Sequence, residues 1–548
     1  MKRKLYLLSI IGILFSSISV FGQKTIVVVE PDPGIEIGAL NNAVANAEDP
    51  GNTIFELKRG GTYYLNGSLS HSGYTLHIRA EEGTGQRPVI QPAVDDLGAS
   101  PENIIEAGGS LILEGLYLYG IDELGGKPNR TIVVSGDGNR IVANDCYFDY
   151  SNQTFFRLTS SNNKVFITNS ILRNSIRPEN PNNGRIIDTR GNPTDSLVIE
   201  NCTMYNFSTS IFSLGTGIID YIKMNHVTIF QSGITSYIPL DATIKADITN
   251  NILYNYAYRA TDYEHQPMFT VDSIFNAGEY TDADRFFNIS NNNWYTDPVF
   301  GEIIDEYGAD TLVRYEPWDT EETNPIPWKY VARTDFFANQ TMLDTSTTIP
   351  PPVLIHFINN GQTDTTNNFK EPLIFDNPPP LNLDYWTFFV EHNYNIREFD
   401  PPTPFADEDP ILVGEVATGS YTFNYNDNSK SATAAIGGEP LGDPRWIPYP
   451  YVSNKDININ SSKNTRVYPN PFTQKMTLEI QSDVESSVKI MIYNLVGKEV
   501  LMKRENIAKG KNLIPLSISA PSGIYMYQVS TESLTSPRIL GAGRIVKQ

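Results

Sequence analysis

The feature of this sequence that most constrains its fold is an eleven-residue pattern that recurs seven times without gaps. Positions two and four are apolar almost throughout, position nine is always large and apolar, and position six is Asn in four of the seven copies. Period-two alternation on both sides of Asn indicates two short strands joined at a sharp bend, because Asn tolerates left-handed backbone angles. The copies are SLILEGLYLYG at 110, RIVANDCYFDY at 140, KVFITNSILRN at 164, SLVIENCTMYN at 196, YIKMNHVTIFQ at 221, KADITNNILYN at 245 and FFNISNNNWYT at 286.

A further alternating stretch lies ahead of each copy. Three strands per repeat, with roughly two dozen residues in the shortest repeats, indicate a parallel β-helix, a solenoid in which each turn stacks on the one before. Stacking places equivalent positions of neighbouring turns side by side, so the recurring Asn side chains can bond to one another as a ladder. The additional stretches are NIIEA at 103, RTIVV at 130, TFFRL at 154, RIIDT at 185, SIFSL at 210, SYIPL at 236 and PMFTV at 267.

The two cysteines occupy the same position of the pattern, two turns apart. Cys146 and Cys202 are both at position seven, with Ser170 between them. Two strand spacings of roughly 4.8 Å each exceed the roughly 7 Å over which two Cα atoms can be bridged by a disulfide. We therefore expect two buried free thiols.

The charge balance argues against a nucleic-acid partner. The 548 residues include 63 acidic and 41 basic ones, which gives a formal net charge of −22. Binding to phosphate backbones needs clustered Lys and Arg and is opposed by a strongly negative chain. We expect neither DNA nor RNA to be a ligand.

The first 22 residues have the pattern of a secretory signal peptide. Lys2, Arg3 and Lys4 precede an apolar run that closes with small residues. This run is short for a membrane-spanning helix, and no second one follows it. We expect a mature chain that begins near Gln23 and has no transmembrane anchor.

Roughly residues 35–300 resemble the right-handed parallel β-helix proteins of the pectate-lyase-like superfamily. The opening stretch, ALNNAVANAEDPGNTIFELKRGGTYYLNGSLSHSGYTLHIRAEEGTGQRPVIQP, is similar to the cap and first turns of chondroitinase-B-like and alginate-lyase-like proteins. The stretch GRIIDTRGNPTDSLVIENCTMYN and the later LGDPRW are similar to Bacteroidetes β-helix proteins encoded beside polysaccharide-utilisation machinery. The resemblance implies an all-β, right-handed parallel β-helix with three strands per turn and an Asn ladder. Because one fold hosts many functions, activity has to be argued from a site.

The last 80 or so residues follow a different pattern. RVYPNPFTQKMTLEIQ, MIYNLVGKEV and SGIYMYQVSTES read as alternating strands with Gly and Pro turns, which predicts a small C-terminal β-sandwich. The stretch closely resembles the type A C-terminal sorting domain of the Bacteroidetes type IX secretion system, in Tyr468–Pro471, in MIYNLVGKEV, in Gly523–Tyr525 and in its basic end. The resemblance implies the type IX secretion machinery as a partner, export across the outer membrane, and a location at the cell surface or outside the cell.

Prolines cluster between the solenoid and the last unit. Trp, Tyr and Phe are too frequent there for a disordered linker, so we expect irregular turns and loops, some of which fold back on the solenoid. We expect the stretch LGDPRW to close the solenoid and the protein to be a monomer. The predicted segments are 1–22, a signal peptide; 23–300, the β-helix with its cap; 301–452, the irregular closing turns and loops; 453–465, a linker; and 466–548, the sorting domain.

Position ten of the pattern forms an outward stripe that is rich in aromatic residues. Exposed aromatic faces stack on sugar rings while neighbouring amides bond the hydroxyls. The candidate substrate-binding residues are therefore Tyr205, Phe230 and Tyr254, together with Arg173 and Arg177. The alternative is that the proline-rich later segment covers the stripe as a second small core, since so large an exposed apolar patch is unusual. The stripe consists of Tyr119, Asp149, Arg173, Tyr205, Phe230, Tyr254 and Tyr295, with Asn174, Asn206, Gln231 and Asn255 beside it.

The strand that precedes each pattern carries charged residues on its outward side. Alternation points Arg157 and Asp188 outward on neighbouring turns, with Arg190 two residues farther on and Asp241 two turns away. The resemblance places the groove of the related lyases and hydrolases on this face. A lyase needs Arg or Lys to neutralise a uronate carboxylate and to remove the adjacent proton, so Arg157 and Arg190 are candidates for these roles, with Asp188 orienting them.

Two alternatives remain open for these charged residues. An inverting hydrolase needs two carboxylates roughly 6.5–9.5 Å apart, a requirement that Asp188 and Asp241 would roughly meet. Asp188 and Arg190 can also form a surface salt bridge that only holds the loop.

The sequence thus predicts an exported protein that binds or cleaves polysaccharide. As an enzyme it would be a lyase of acidic glycans, or less favourably a glycoside hydrolase. The alternative is a non-catalytic glycan-binding, adhesive or structural surface protein. The six histidines lack the spacing of metal ligands, so we assign no metal-ligating residue; Ca²⁺ is the one possible ion, suggested by the resemblance to chondroitinase-B-like lyases.

Overall fold

The computed structural model consists of two compact units, Met1–Tyr449 and Pro450–Gln548, which are described separately. The predicted signal peptide lies outside the described residues, as do the proline clusters IPPPV and DPPTPFADEDP. The structure describes residues 24–33, 37–177, 180, 183–232, 238–261, 268–271, 280–307, 312–314, 321, 323, 325–333, 361–392, 421–446, 465–482, 484–494, 499–531 and 539–548.

The first unit is a parallel β-solenoid of about eight turns, as the repeated pattern predicts. The strand before each central bend lies on what we call the second sheet, and the strand after it on the third sheet. In Thr194–Phe207 and Ile219–Ser232 the two strands join without a break. The remaining second-sheet strands are Thr25–Val29, Thr53–Leu57, Leu76–Ala80, Leu111–Glu114, Arg140–Asn144, Asn163–Thr168, Thr243–Thr249, Phe286–Ser290 and Thr363–Asp364, and the remaining third-sheet strands are Thr62–Leu65, Val89–Pro92, Tyr117–Tyr119, Tyr147–Ser151, Ile171–Ser175, Ile252–Tyr256 and Asn293–Tyr295.

The alternating stretches that precede each pattern form the first sheet. Its strands pair in parallel, and Arg157 is paired with Val133 of the turn before and Asp188 of the turn after. The six hydrogen-bonded strands are Leu69–Ser72, Asn103–Gly108, Arg130–Val134, Thr154–Leu158, Arg185–Asp188 and Phe212–Ser213, and a further pair is Ile238–Pro239 with Phe269–Thr270.

The interior of the solenoid confirms the predicted stacking. Position nine of each pattern pairs directly with position nine of the next turn, and every one of these side chains is buried. Burying one large apolar side chain per turn in one continuous file contributes roughly 1.5–3 kcal/mol for each side chain. The file runs Leu118, Phe148, Leu172, Met204, Ile229, Leu253 and Trp294.

The central bend has the backbone conformation that Asn was expected to supply. All seven position-six residues have φ between 52° and 71°. Amides bond from turn to turn: Asn169 Nδ2 donates to Asn144 Oδ1 at 2.8 Å, and Asn201 Nδ2 donates to Asn169 Oδ1 at 3.2 Å. At position seven a second column of amides extends to a turn that the pattern did not reveal: Asn251 Nδ2 donates to Asn292 Oδ1, and Asn292 Nδ2 donates to Asn368 Oδ1, both at 2.9 Å.

The two cysteines are buried free thiols, as predicted from their column positions. Burial raises the pKa of the Cys146 thiol to about 12 and raises that of Cys202 as well. Both therefore serve as small apolar core residues.

Short helices cover parts of the solenoid. Helix Ala39–Ala45 buries Leu40 and Val44 against the first turns, and its first amide donates to Asp32 Oδ1 at 2.9 Å. Helices Pro298–Tyr307 and Leu383–His392 pack around Tyr258 in a separate small core. Short antiparallel pairs are Arg259–Thr261 with Tyr330–Ala332 and Leu312–Arg314 with Ile326–Trp328, and the 3₁₀ turns are Pro50–Asn52, Asp282–Asp284 and Lys430–Ala432.

The segment that we call the cover, residues 369–377 and 421–446, lies on the outer side of the third sheet. Its strands Phe375–Asn377 and Thr422–Tyr425 are antiparallel. Its last part, LGDPRW, follows the side of the solenoid across several turns. Gly442 N donates to Asn250 O at 2.9 Å, and Arg445 Nη2 donates to Asn169 O at 2.6 Å.

The second unit consists of two antiparallel sheets that share one apolar core, in line with the predicted sandwich. Its strands alternate buried and exposed side chains, as in Lys475–Ser482. The three-stranded sheet is Thr465–Tyr468, Lys475–Ser482 and Gly510–Ser517; the four-stranded sheet is Glu499–Ile507, Ser486–Asn494, Gly523–Thr531 and Ile539–Lys547.

Candidate functional site

The aromatic stripe of the third sheet is buried beneath the cover. Tyr205, Phe230 and Tyr254 are 1%, 3% and 8% exposed. Phe423 of the cover lies 5.4 Å from the Tyr205 ring and 5.5 Å from the Phe230 ring. The expectation that these three residues are exposed for sugar stacking is therefore wrong, and the alternative of a second small core is what the structure shows.

Arg173 is also not a surface residue, contrary to its expected substrate-binding role. Its guanidinium is 2% exposed and bonds Asp149 Oδ2 at 2.6 Å and the Tyr205 hydroxyl at 3.0 Å. Burial acts to lower the pKa of Arg173, but the Asp149 carboxylate and the neighbouring Tyr205 and Tyr117 hydroxyls raise it well above its ordinary value. Arg173 and Asp149 form a buried ion pair that links neighbouring turns.

Two of the amides beside the stripe, those of Asn174 and Asn206, form a second ladder and are buried. Asn174 Nδ2 donates to Asp149 Oδ1 at 2.9 Å, and Asn206 Nδ2 donates to Asn174 Oδ1 at 2.6 Å. Both residues have φ of 59°, so a second left-handed corner follows the third sheet. Position eleven of the pattern is therefore a bend, which explains its Asn and Gln residues.

The first sheet presents a different surface, an arginine cluster made of Arg130, Arg157, Arg185 and Arg190. Three of them, Arg157, Arg185 and Arg190, contact the carboxylate of Asp188. The fourth, Arg130, shares a hydrogen-bond acceptor with Arg157. The register places Arg130 and Arg185 in one column, on either side of Thr154, and Arg157 beside Asp188 in another. Arg157, Asp188 and Arg190 were predicted to be neighbours, and the structure confirms this.

Asp188 holds the cluster together. Its side chain is 3% exposed, and its Oδ2 accepts from Arg157 Nη2 at 3.1 Å and from Arg185 Nη1 at 3.5 Å. Its Oδ1 accepts from the backbone N–H of Arg190 at 3.0 Å. With both oxygens engaged, Asp188 orients the cluster, and Arg190 binds it through the backbone and not through the expected side-chain salt bridge.

Two guanidinium groups of the cluster have unused donors. Arg130 and Arg157 each have a buried Nε–H that has no hydrogen-bond acceptor among the described residues. Burial lowers the pKa of Arg157, and the nearby positive charges of Arg130, Arg190 and Arg185 lower it further. The Asp188 carboxylate acts in the opposite direction and raises this pKa. The cluster therefore carries more positive charge than its carboxylates balance.

The remaining predicted site residues lie around this cluster or farther along the solenoid. The Arg190 residue is exposed and has φ of 55°, while Arg177 is half-buried. Asp241 is half-buried just after Ile238–Pro239, and its backbone carbonyl accepts from Arg285 Nη2 at 3.1 Å. The catalytic and binding roles suggested for these residues stay predictions.

One member of the cluster, Arg130, and one residue that contacts it, Gln153, were missed from the sequence. Arg130 forms an ion pair with Glu102 and donates through Nη2 to Gln153 Oε1 at 3.3 Å. Gln153 Oε1 also accepts from Arg157 Nη2 at 3.0 Å. The aligned starts of RTIVV and RIIDT would have placed Arg130 near Arg185, but nothing in the pattern marks Gln153.

The described ranges contain no group of three His, Cys, Asp or Glu side chains that could hold a metal ion. Binding of Ca²⁺, which the resemblance to chondroitinase-B-like lyases suggests, therefore stays a prediction.

A family model of secretion-system C-terminal sorting domains matches residues 466–540 of the second unit. The second unit is a type IX secretion sorting domain. This sorting domain indicates secretion across the outer membrane to the cell surface or the extracellular space, and it implies the secretion machinery as a partner. In the part of the chain that the structure describes, no helix is both long and apolar enough to cross a membrane.

Other comparisons add little. No curated protein matches the chain. Among solved structures, the crystal structure of dimeric latent PorU from Porphyromonas gingivalis matches at 18% identity, over 15% of this chain and 9% of that one, with a TM-score of 0.14. A likeness this limited carries no argument, so the function of the solenoid has to be inferred from its surface.

Proposed function

We propose that the solenoid binds an acidic polysaccharide through the arginine cluster of the first sheet. The observation that carries the proposal is the pair of buried Nε–H groups on Arg130 and Arg157 for which the described part of the chain offers no acceptor. A buried donor without a partner costs roughly 1–3 kcal/mol, which an anionic oxygen from a ligand would remove. Carboxylate and sulfate groups fit guanidinium donors well, because two oxygens can accept from one group.

Three further features favour a polymer over a small anion. The first sheet is a continuous face, and its outward column passes from Ser70, Glu106 and Val133 through the cluster to Ser213. A chain of sugars can lie along such a column and use several turns. The sorting domain places the protein where extracellular glycans occur, and the resemblance to pectate-lyase-like proteins supports the same ligand by analogy.

Lyase chemistry is a second function that the cluster supports. Arg157 and Arg190 would neutralise the uronate carboxylate, and one of them would take the adjacent proton, while Asp188 orients them. A hydrolase is less well supported, because both oxygens of Asp188 are already engaged. Ca²⁺ remains a possible addition to the lyase reaction and is tested by adding it to the assay.

The test compares polysaccharides with and without charge. The full chain is titrated with polygalacturonate, dextran sulfate and neutral dextran, and unsaturated product is followed by absorbance with and without Ca²⁺. We expect binding of the charged polymers only, and roughly tenfold weaker binding for Arg157→Ala. Lys245→Ala is the control, because Lys245 is exposed on the second sheet and lies outside the cluster. Equal binding of dextran, or unchanged affinity in Arg157→Ala, would refute the proposal; unsaturated product would show that the site is also a lyase.

A further inference from the structure

Gln153 occupies a fixed position beneath the arginine cluster. It lies just before strand Thr154–Leu158, and its backbone N–H donates to Asn129 O at 2.9 Å. Its backbone carbonyl accepts from Gly184 N and Arg185 N of the following turn, both at 2.9 Å. Backbone hydrogen bonds to the turns before and after it therefore fix the position of the Gln153 Cα, from which the side chain extends.

The side chain of Gln153 contacts two arginines through one atom. Oε1 accepts from Arg157 Nη2 at 3.0 Å and from Arg130 Nη2 at 3.3 Å. One neutral oxygen therefore joins guanidinium groups that come from different turns. An amide oxygen fixes their orientation but, unlike a carboxylate, leaves their charge in place.

The covered face provides an internal comparison. There a carboxylate, Asp149, holds Arg173 at 2.6 Å, and its other oxygen accepts from Asn174. That arginine is fully paired and buried. A Glu at position 153 would produce the same kind of pairing on the first sheet, since Glu and Gln have the same shape.

We infer that Gln153 is a positioning and specificity-determining residue, which holds Arg130 and Arg157 for a carboxylate or sulfate group of the ligand and, being neutral, keeps the site attractive to it. The inference rests on the proposed function and deepens it. It predicts that adding one negative charge at this atom stabilises the protein and weakens ligand binding at the same time. A residue with a purely structural role would not separate these two effects.

The experiment uses the full-length protein with Gln153→Glu, Gln153→Ala and Asn162→Asp. Asn162 is exposed and has φ of 58°, which Asp also tolerates, so this variant adds the same charge nine residues farther along the chain. Affinity for polygalacturonate and dextran sulfate is measured at two salt concentrations, and melting is followed by circular dichroism. For Gln153→Glu we expect roughly tenfold weaker binding, a smaller salt dependence and a melting temperature at or above that of the wild type.

Gln153→Ala separates positioning from charge. It leaves the net charge unchanged, so a pure charge effect predicts wild-type affinity, whereas loss of positioning predicts weaker binding. Four results would each overturn the inference while leaving the proposed function intact. For Gln153→Glu they are wild-type affinity or a lower melting temperature. For Gln153→Ala the result is wild-type affinity, and for Asn162→Asp it is a loss of affinity equal to that of Gln153→Glu. Failure of the wild-type protein to bind either charged polymer would overturn the proposed function itself.

Discussion

The first and third sheets of the solenoid contain the same motif in two different environments. On each, an arginine meets an aspartate of a neighbouring turn: Arg173 with Asp149 at 2.6 Å, and Arg157 with Asp188 at 3.1 Å. On the third sheet the arginine side chain is 2% exposed and also donates to Tyr205, against which the cover packs. On the first sheet the Nε–H of Arg157 has no hydrogen-bond acceptor among the described residues. The Arg–Asp pair of the third sheet is thus enclosed by other side chains, whereas the pair of the first sheet keeps a donor for the ligand that we propose.

The cover binds to the third sheet through aromatic packing and buried hydrogen bonds. Asp443 Oδ2 accepts from Thr203 Oγ1 at 2.8 Å, and Asp443 N donates to Thr228 Oγ1 at 2.9 Å. Gly442 has φ of 80°, and a Cβ there would lie 2.4 Å from the same Thr228 oxygen. The LGDPRW stretch therefore fits closely against the solenoid, and its Leu441 and Trp446 pack with the aromatic stripe that the cover buries.

The largest expected effect comes from breaking the covered ion pair. Arg173→Ala leaves the Asp149 charge buried without its main partner, and we expect a loss of about 3–5 kcal/mol in the free energy of unfolding. The measurement is urea unfolding of the full chain, followed by circular dichroism. The surface control on the first sheet is Arg190→Asn, which changes an exposed side chain, keeps the backbone N–H that bonds Asp188 and a residue that tolerates the left-handed backbone, and should cost less than about 0.5 kcal/mol. Similar losses in both variants would contradict the distinction between the two faces.

A somewhat smaller effect is expected from opening the cover. Phe423 is 1% exposed and contacts Tyr205, Phe230 and Trp446. Phe423→Ala should cost about 3–4 kcal/mol through lost burial and the cavity left behind. Phe166→Ala is the control, because Phe166 is half-exposed on the second sheet, and its loss should be under about 1 kcal/mol. If Phe423→Ala gained binding to neutral dextran without losing stability, the third sheet would be a masked sugar site instead of a core.

The difference between the faces also marks the limit of what this sequence can predict. Alternation determines whether a side chain points into or out of the solenoid, so the file from Leu118 to Trp294 and the free state of Cys146 and Cys202 follow from the repeat. Alternation cannot tell whether an outward side chain meets solvent. Tyr205 points outward, as expected, but packs against Tyr421 and Phe423, cover residues more than 200 positions later that follow no repeat.

Contacts between neighbouring turns were predictable only where both partners belong to strands that could be aligned from turn to turn. Arg157 and Asp188 lie in the aligned stretches ahead of the pattern, and their contact was expected. Gln153 lies in the connection between two strands, where residue type follows no period, so its contacts could be found only from coordinates. The second corner at Asn174 was missed for a simpler reason: the pattern was read as ending there.

An acid titration tests the inner side of the first sheet. His71 lies in strand Leu69–Ser72 with 6% exposure, and neither ring nitrogen meets the geometric criteria for a hydrogen bond within the described residues. Burial lowers its pKa to about 4, and the nearby Tyr74 backbone opposes this effect more weakly. Above pH 6.5 the ring is neutral in both the folded and unfolded states. Between pH 6.5 and 4 only the unfolded chain binds the proton, so the free energy of unfolding should fall by about 2 kcal/mol as the pH decreases through this range.

The control for the acid titration is His71→Leu, which removes the titrating group from the same apolar position. Its unfolding free energy should lose this part of the pH dependence, while the dependence due to other groups remains. An equal slope in the variant and the wild type would show that the inner side of the first sheet admits solvent at His71.

The smallest expected effect concerns the most exposed member of the arginine cluster. The Arg190 residue is exposed, and its backbone N–H, which bonds Asp188, is retained in Arg190→Asn. An exposed charge contributes roughly 0.2–1 kcal/mol to an ion pair, so affinity for polygalacturonate should fall only about two- to fivefold, and less at high salt. The same titration on Arg157→Ala should show the larger loss, because that guanidinium is mostly buried and its interaction with an anion is screened less. If Arg190→Asn weakened binding more than Arg157→Ala, the ligand would be held by the rim of the cluster, and the unused donors of Arg130 and Arg157 would not be the binding groups.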